Sequence, residues 1–292
     1  MRRLAVALTI LALCAIPLPA FTGLEKILEI PPPRPELKID FDGEHLKYEA
    51  SWLGLKAGEA ELTVSGLESG YKISAVSRTT GRARYLYKLD DAVFAETLRD
   101  FSPVFYDLQI REPAFKHNRL MWIDRRNKIA KVKTVQAASG AVKEKEFEFY
   151  QGFDPVGLTF LVRSIDWKPG MIKYFEFLDG RDRSLILLEA GPVQEVKTRA
   201  GSFRTIRIQP LLFTLPRRLG KETPELMKQI KNREGVQGLA SWVYFWLALD
   251  GTRPIVLAKA YSIIGPVALE LVEMAGPPAP GQKASPAPGT GK

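Results

Sequence analysis

The densest chemistry in the sequence is cationic. Between residues 197 and 233 stand ten basic side chains against two acidic ones, Glu222 and Glu225, a net charge of +8. Arg217, Arg218, Lys221, Lys228, Lys231 and Arg233 make up its second half. Gathered on one surface, such cations attract phosphates, anionic head groups or an anionic membrane, at about 1 kcal/mol each near a charged lipid surface. A solvated strand face followed by a surface helix is the plainer reading of the same residues. Aromatic side chains form the second group. Trp242, Tyr244 and Trp246 alternate and so share one face of a strand, opposite Val243, Phe245 and Leu247. With Phe175 and Phe177 they supply either a packed core or the lining of an apolar pocket for an acyl chain.

Groups suited to catalysis do not fall into a pattern. One cysteine, Cys14, excludes an intramolecular disulfide, paired-cysteine zinc sites and CxxC redox motifs. The two histidines, His45 and His117, are far apart and read as exposed loop residues. Asp90, Asp91, Asp179, Asp182 and Asp250 are available for acid chemistry, but no spacing singles out the facing pair that a glycosidase needs. Asp250 and Arg253 sit across an Asp-Gly-Thr-Arg turn, where stabilising the turn is reason enough for both. No nucleophile elbow, HExxH, P-loop or glycine fingerprint is present. The sequence therefore nominates no catalytic residue, no metal ligand and no cofactor, although a hydrolase built from residues distant in sequence would leave no local motif.

The whole chain carries +9 over 292 residues, with 46% hydrophobic and 26% charged, which excludes wholesale disorder. Arg2 and Arg3 precede an apolar run over 4–16 and then Pro17-Leu18-Pro19-Ala20, the layout of a secretory signal peptide spanning 1–20. An uncleaved inner-membrane anchor is the alternative. Without those two arginines the mature chain carries +7, so everything outside 197–233 is close to neutral. Export and the scarcity of aromatics among the cations argue against nucleic acid as a partner.

The elements that must position these residues are mostly strands. Residues 21–37 contain Pro-Pro-Pro-Arg-Pro, a stiff polyproline-type linker. A folded unit spans 38–274, and 275–292 is a Pro/Gly/Ala-rich disordered tail. Within the unit, short alternating segments recur from 46–52 to 266–273, punctuated by Gly, Asp, Ser or Pro, with no βαβ rhythm. Asp154-Pro155 caps a helix over 154–166, whose Leu158, Leu161, Val162 and Ile165 form one apolar face. Thr223-Pro224-Glu225 opens a second, basic helical insertion within 213–237, and 82–90 reads as a short connector helix. The fold class expected is mainly β: a strongly curved antiparallel sheet or incomplete β-barrel with one packed α-helix and a short helical insertion.

Several stretches together resemble an exported bacterial family catalogued as domain of unknown function 3108. They are Phe41-Asp42-Gly43-Glu44, Leu46-Lys47-Tyr48, Trp52 to Gly58, Thr79-Thr80-Gly81, Asp154-Pro155 through Arg163, Thr198 to Phe203 with Pro210, and Trp246 with Asp250 and Arg253. The chain departs from the family pattern at Trp246-Leu247-Ala248-Leu249-Asp250, where polar residues are lost, at Pro254 directly after Arg253, and in a longer 213–237 segment. The resemblance implies a β-rich envelope protein and carries no reaction. The function expected is thus non-enzymatic and periplasmic: binding an apolar or amphiphilic, lipid-like ligand in a curved sheet, with peripheral contact to an anionic membrane. A structural or assembly module contacting another envelope protein is the alternative, and a hydrolase with a nonlocal site the second.

Overall fold

A computed structural model describes residues 24–28, 33–234, 243–262 and 265–276. Trp242, the signal segment 1–20 and nearly all of the tail lie outside them. Fourteen strands form a single antiparallel sheet. The first meander is β1 (His45–Trp52), β2 (Leu55–Gly66), β3 (Gly70–Thr79), β4 (Asp90–Leu98), β5 (Pro103–Arg111), β6 (Lys116–Asp124), β7 (Ile129–Gln136) and β8 (Val142–Glu148). The second is β9 (Ile172–Leu178), β10 (Arg183–Thr198), β11 (Gly201–Leu215), β12 (Val243–Ala248), β13 (Ile255–Ser262) and β14 (Gly265–Ala275). Pairing of β1 with β14 joins the two, leaving β8 and β9 as the edges.

Those edges are consecutive in the chain, and what lies between them closes the molecule. After β8 the backbone runs alongside β9: Phe153 N–H donates to the Glu176 carbonyl at 2.9 Å, and Leu178 N–H donates to the Phe153 carbonyl at 2.8 Å. It then enters α2 (Pro155–Arg163), whose N-cap Asp154 accepts from the Val156 and Gly157 N–H groups at 2.8 and 3.0 Å. The apolar face of α2 fills the interior of the curved sheet, packing Leu158, Phe160, Leu161 and Val162 against Phe41, Tyr71, Phe101, Phe175, Ile206 and Leu247. The result is the incomplete barrel with a packed helix that the strand pattern implies.

Three differences from the sequence reading have local causes. Segments 183–189 and 192–199 are one strand, β10, because the chain crosses Gly191-Pro192 as a bulge between Ala190 and Val193 without leaving the sheet. Residues 116–118 are strand and not a polar turn, since Pro113 sets the break earlier; His117 therefore faces inward on β6, and His45 opens β1. Residues 24–28, placed in a linker, bury Leu24 and Leu28 against Leu185, Leu187, Phe213 and Ile230 on the outer side of β10 and β11. There they meet α3 (Pro224–Asn232), capped by Thr223, while the connector α1 (Gly81–Leu86) buries none of its residues.

Candidate functional site

Register pairs define the inner face of the first meander. One row runs Val64, Ile73, Ala95, Tyr106, Met121 and Val132, all buried. Two residues nearer the β1–β2 turn, the next row runs Leu62, Ala75, Val93, Leu108, Arg119 and Thr134; there Arg119 is buried and the others are half-buried. The row beyond holds Ser77, Asp91, Ile110, His117 and Gln136, all half-buried. The interior thus opens from a dry floor to an amphiphilic mouth.

Cations concentrate where β8 faces the β9–β10 turn, and there Lys145, paired with Val132, ends the first of these rows beside Arg119 of the second. The Lys145 ammonium donates to the Arg181 carbonyl and lies 5.3 Å from the Phe147 ring centroid, with Arg217 5.8 Å from the same ring. Burial pulls the Lys145 pKa down, and the nearby Arg217 charge pulls it further. Arg119 sits beneath Gly180, whose φ of +75° and whose lack of a Cβ the site requires: a Cβ there would meet Arg119 Cδ at 2.5 Å. Arg119 Nη2 contacts His117 Nε2 at 3.2 Å, while its buried Nε has no hydrogen-bond partner. Burial lowers the pKa of both, and for His117 the Arg119 charge adds to the effect. Asp179 and Asp182 are the acids of this cluster, and Asp179 is largely engaged by its own turn, accepting from the N–H groups of Arg181 at 2.7 Å and Asp182 at 2.9 Å. Arg181 Nε also pairs with Asp179 at 3.1 Å, so Arg119, Lys145 and Arg217 are the cations that make this mouth electropositive.

Next to it lies a buried ionic triad that locks the seam. Arg183 donates through Nε to Glu176 and through Nη1 to Glu222 at 2.9 Å and to the Pro216 carbonyl at 2.9 Å; all three side chains are fully buried. The second Glu176 oxygen accepts from the N–H groups of Tyr150 and Gln151 at 2.6 and 2.8 Å. One arginine thereby ties β9, β10, the 149–153 crossover and the chain leading to α3. A second buried pair lies at the far end of α2. Arg163 Nη2 donates to Glu44 Oε1 at 2.6 Å and to the Thr252 carbonyl at 2.7 Å, with its guanidinium 4.5 Å from the Phe41 ring centroid. Arg253 joins it, donating to the Ile165 carbonyl at 2.8 Å.

The nominated aromatics separate into two places. Phe175 and Phe177 pack in the cluster around α2, whereas Tyr244 and Trp246 turn to the opposite face of β12, in a cluster with Leu46, Tyr48, Val196 and Leu271. Of the nominated cations, Arg217 alone reaches the mouth. Arg218 offers its carbonyl to Arg183 at 3.4 Å, Arg233 pairs with Glu189 at 3.4 Å, and Lys221, Lys228 and Lys231 are exposed. Asp90 is held by Arg84 at 2.7 Å, Asp91 accepts from the Arg111 N–H at 2.7 Å, and Arg253 points to α2 instead of pairing with Asp250. Among the described residues no group of acids, histidines and cysteines could hold a metal ion.

A family model described as "Protein of unknown function (DUF3108)" matches residues 47–272. Among solved structures, a β-barrel-like protein of domain of unknown function DUF1849 from Brucella abortus aligns over 82% of this chain and all of its own, with a TM-score of 0.52 at 9% identity. A protein from Bacteroides fragilis, provisionally described as exported with a YmcC-like fold, covers 81% of this chain and 97% of its own, with a TM-score of 0.35 at 11% identity. No curated protein matches the sequence.

Proposed function

The chain belongs to the DUF3108 family, and from that premise, which supplies an architecture and no reaction, we propose that it is a non-enzymatic envelope protein that holds an anionic amphiphile at the mouth of its incomplete barrel. The anionic group sits among Arg119, Lys145 and Arg217, and the apolar portion runs along the half-buried row of Leu108, Val93, Ala75 and Leu62. The observation that carries the reading is Arg119. A buried guanidinium nitrogen without a partner costs desolvation energy that an incoming phosphate or carboxylate repays through a charge-assisted hydrogen bond. The signal-like segment 1–20 favours the envelope as the place of action, and among the described residues no helix is long and apolar enough to cross a membrane.

The test is extraction of the full chain purified from its native envelope, followed by mass spectrometry of bound amphiphiles. Wild-type protein is expected to carry an anionic amphiphile that falls at least tenfold in Arg119→Gln and in the less buried Lys145→Gln. A wild-type protein that is consistently empty, or one whose cargo is unchanged by both substitutions, would falsify the reading.

A further inference from the structure

Strand directions alternate through both meanders. The turns after β1, β3, β5, β7, β9 and β13 therefore all reach one edge of the sheet, while the turns after β2, β4, β6 and β12 reach the other. The two edges expose opposite chemistry. Leu53 and Leu55 project from the first turn, Tyr85 and Leu86 from α1, Phe115 from the β5–β6 turn and Tyr261 from the end of β13. Tyr85 is 93% exposed, Leu86 76% and Leu55 75%, values that leave them uncovered by the described residues. At the opposite edge the turns 67–69, 99–102, 125–128 and 249–254 hold none of the exposed large apolar side chains among the described residues, and the neighbouring strand ends add only Val104 and Met274, at 38% and 44%.

The first turn adds an energetic argument. Leu53 holds φ +50° and Gly54 φ +80°, the two left-handed positions of a hairpin turn that Asn-Gly serves best. A leucine there strains the backbone and exposes an apolar side chain at the same time. Phe101, also at positive φ, is buried in the core and so has a packing reason, whereas Leu53 is 57% exposed and its side chain only lies over Gly265.

Charge selects the partner. Arg82, Lys88, Lys116 and Lys143 stand beside these apolar tips, and none takes part in an ion pair among the described residues. The acids of these turns are Glu112, Asp179 and Asp182; Glu112 accepts from the Tyr87 hydroxyl at 2.5 Å, and Asp179 is held by the N–H groups of its own turn. A second copy of the chain would bring cations against cations. A folded partner would need one contour complementary to tips that come from separate turns. A bilayer interface accepts each tyrosine, phenylalanine or leucine independently, with the basic side chains reaching to the head groups. We infer that this hairpin edge docks the protein on an anionic lipid bilayer. The surface assigned is not the basic 213–237 segment that the sequence suggests. Because the β9–β10 turn reaches the same edge, docking presents the electropositive mouth to the membrane. Docking itself requires no occupant of the mouth.

Flotation with vesicles tests it on the full chain, all variants carrying the same N-terminus. Wild-type protein is expected to float with phosphatidylcholine–phosphatidylglycerol vesicles (3:1) and far less with phosphatidylcholine alone. The double variant Tyr85→Ser/Leu86→Ser should bind at least tenfold more weakly with unchanged thermal unfolding, since both side chains are exposed. Lys88→Gln and Lys116→Gln should each lose about fivefold, the effect of one charge near an anionic surface. Lys145→Gln, which weakens the proposed cargo site at least tenfold, should weaken flotation by no more than the roughly fivefold of a single charge, so that failure of one idea is not failure of the other. The inference is overturned if wild-type protein ignores anionic vesicles, if the double variant binds them equally, or if the double substitution abolishes only self-association in sedimentation.

Discussion

The two edges of the sheet invert the usual placement of charge and oil. At the edge opposite the β1–β2 turn, which the end of α2 closes, charged groups are buried, Arg163 with Glu44 and Arg253 on the end of α2, and Phe101 is tucked under its own turn. At the hairpin edge, aromatic and aliphatic side chains stand in solvent on the turns from β1 to β6, while the Arg183 triad is buried at its β9–β10 corner. A buried arginine with five donors can satisfy carbonyls from segments that share no strand pairing, as Arg163 does for 252–253 and as Arg183 does for 216–218. Such ties are weak evidence of net stability but strong constraints on geometry. The comparison assigns the closed edge to shape and the hairpin edge to contact, and substitutions at each should behave accordingly.

The largest effect is expected at Arg163. Arg163→Ala strands Glu44, which already has one buried oxygen without a partner, and removes the donors to the 252–253 carbonyls. Loss of one member of a buried pair costs about 3–5 kcal/mol, readable as a lower denaturation midpoint in urea. The double variant Glu44→Gln/Arg163→Met should recover part of that loss. A cost below about 1 kcal/mol, within the range of a surface pair, would erase the distinction between the edges.

Asp154 gives the next effect and a pH signature. Burial pushes its carboxyl up to about 6 from an ordinary 3.8, against the two N–H groups it caps, and its Oδ2 has no partner. The folded state then binds more protons than the unfolded chain between about pH 4 and 6, so stability falls as pH rises through that window. The loss amounts to about 2–3 kcal/mol at 1.36 kcal/mol per pKa unit. Asp154→Asn keeps a capping oxygen and carries no charge, so its stability should stay flat from pH 4 to 7 and exceed wild type at the upper end. A wild-type profile that instead rises over pH 4–6 would show that the N-terminus of α2 stabilises the carboxylate more than burial opposes it.

How far the sequence reaches follows the same division. Strand alternation, the Asp154-Pro155 cap and the Thr223 cap are local signals, and they placed the curved sheet, α2 and α3. Glu44, Asp154, Arg163 and Arg253, which occur in the stretches resembling the family, all prove to be buried at or beside α2. The mouth was not legible. Residues 120–123 are apolar on both faces, so periodicity could not say that Arg119 and Met121 point inward while Leu120 and Trp122 point out. Lys145 lies in a strand whose alternation shows Glu144, Glu146 and Glu148 on one side and Phe147 and Phe149 on the other, which does not reveal what the lysine meets across the seam. The basic cluster visible in sequence, 197–233, is dispersed over the end of β10, β11, the connection after β11 and α3, because proximity in sequence is not proximity across a sheet.

The smallest effect discriminates best. Leu53→Asn puts the preferred residue into a left-handed turn position and should raise stability by about 0.5–1 kcal/mol, part of the strain that a β-substituted residue carries there. The same change removes an apolar tip from the hairpin edge and should weaken vesicle binding several-fold. Opposite signs for stability and binding are what a contact surface predicts, because there the side chain acts on something outside the fold. Leu53 also lies over Gly265, where an added Cβ would meet its Cδ2 at 2.4 Å. If Leu53→Asn destabilises the protein, that intramolecular contact is why leucine tolerates the strained position, and the hairpin edge loses its best energetic argument for an external partner.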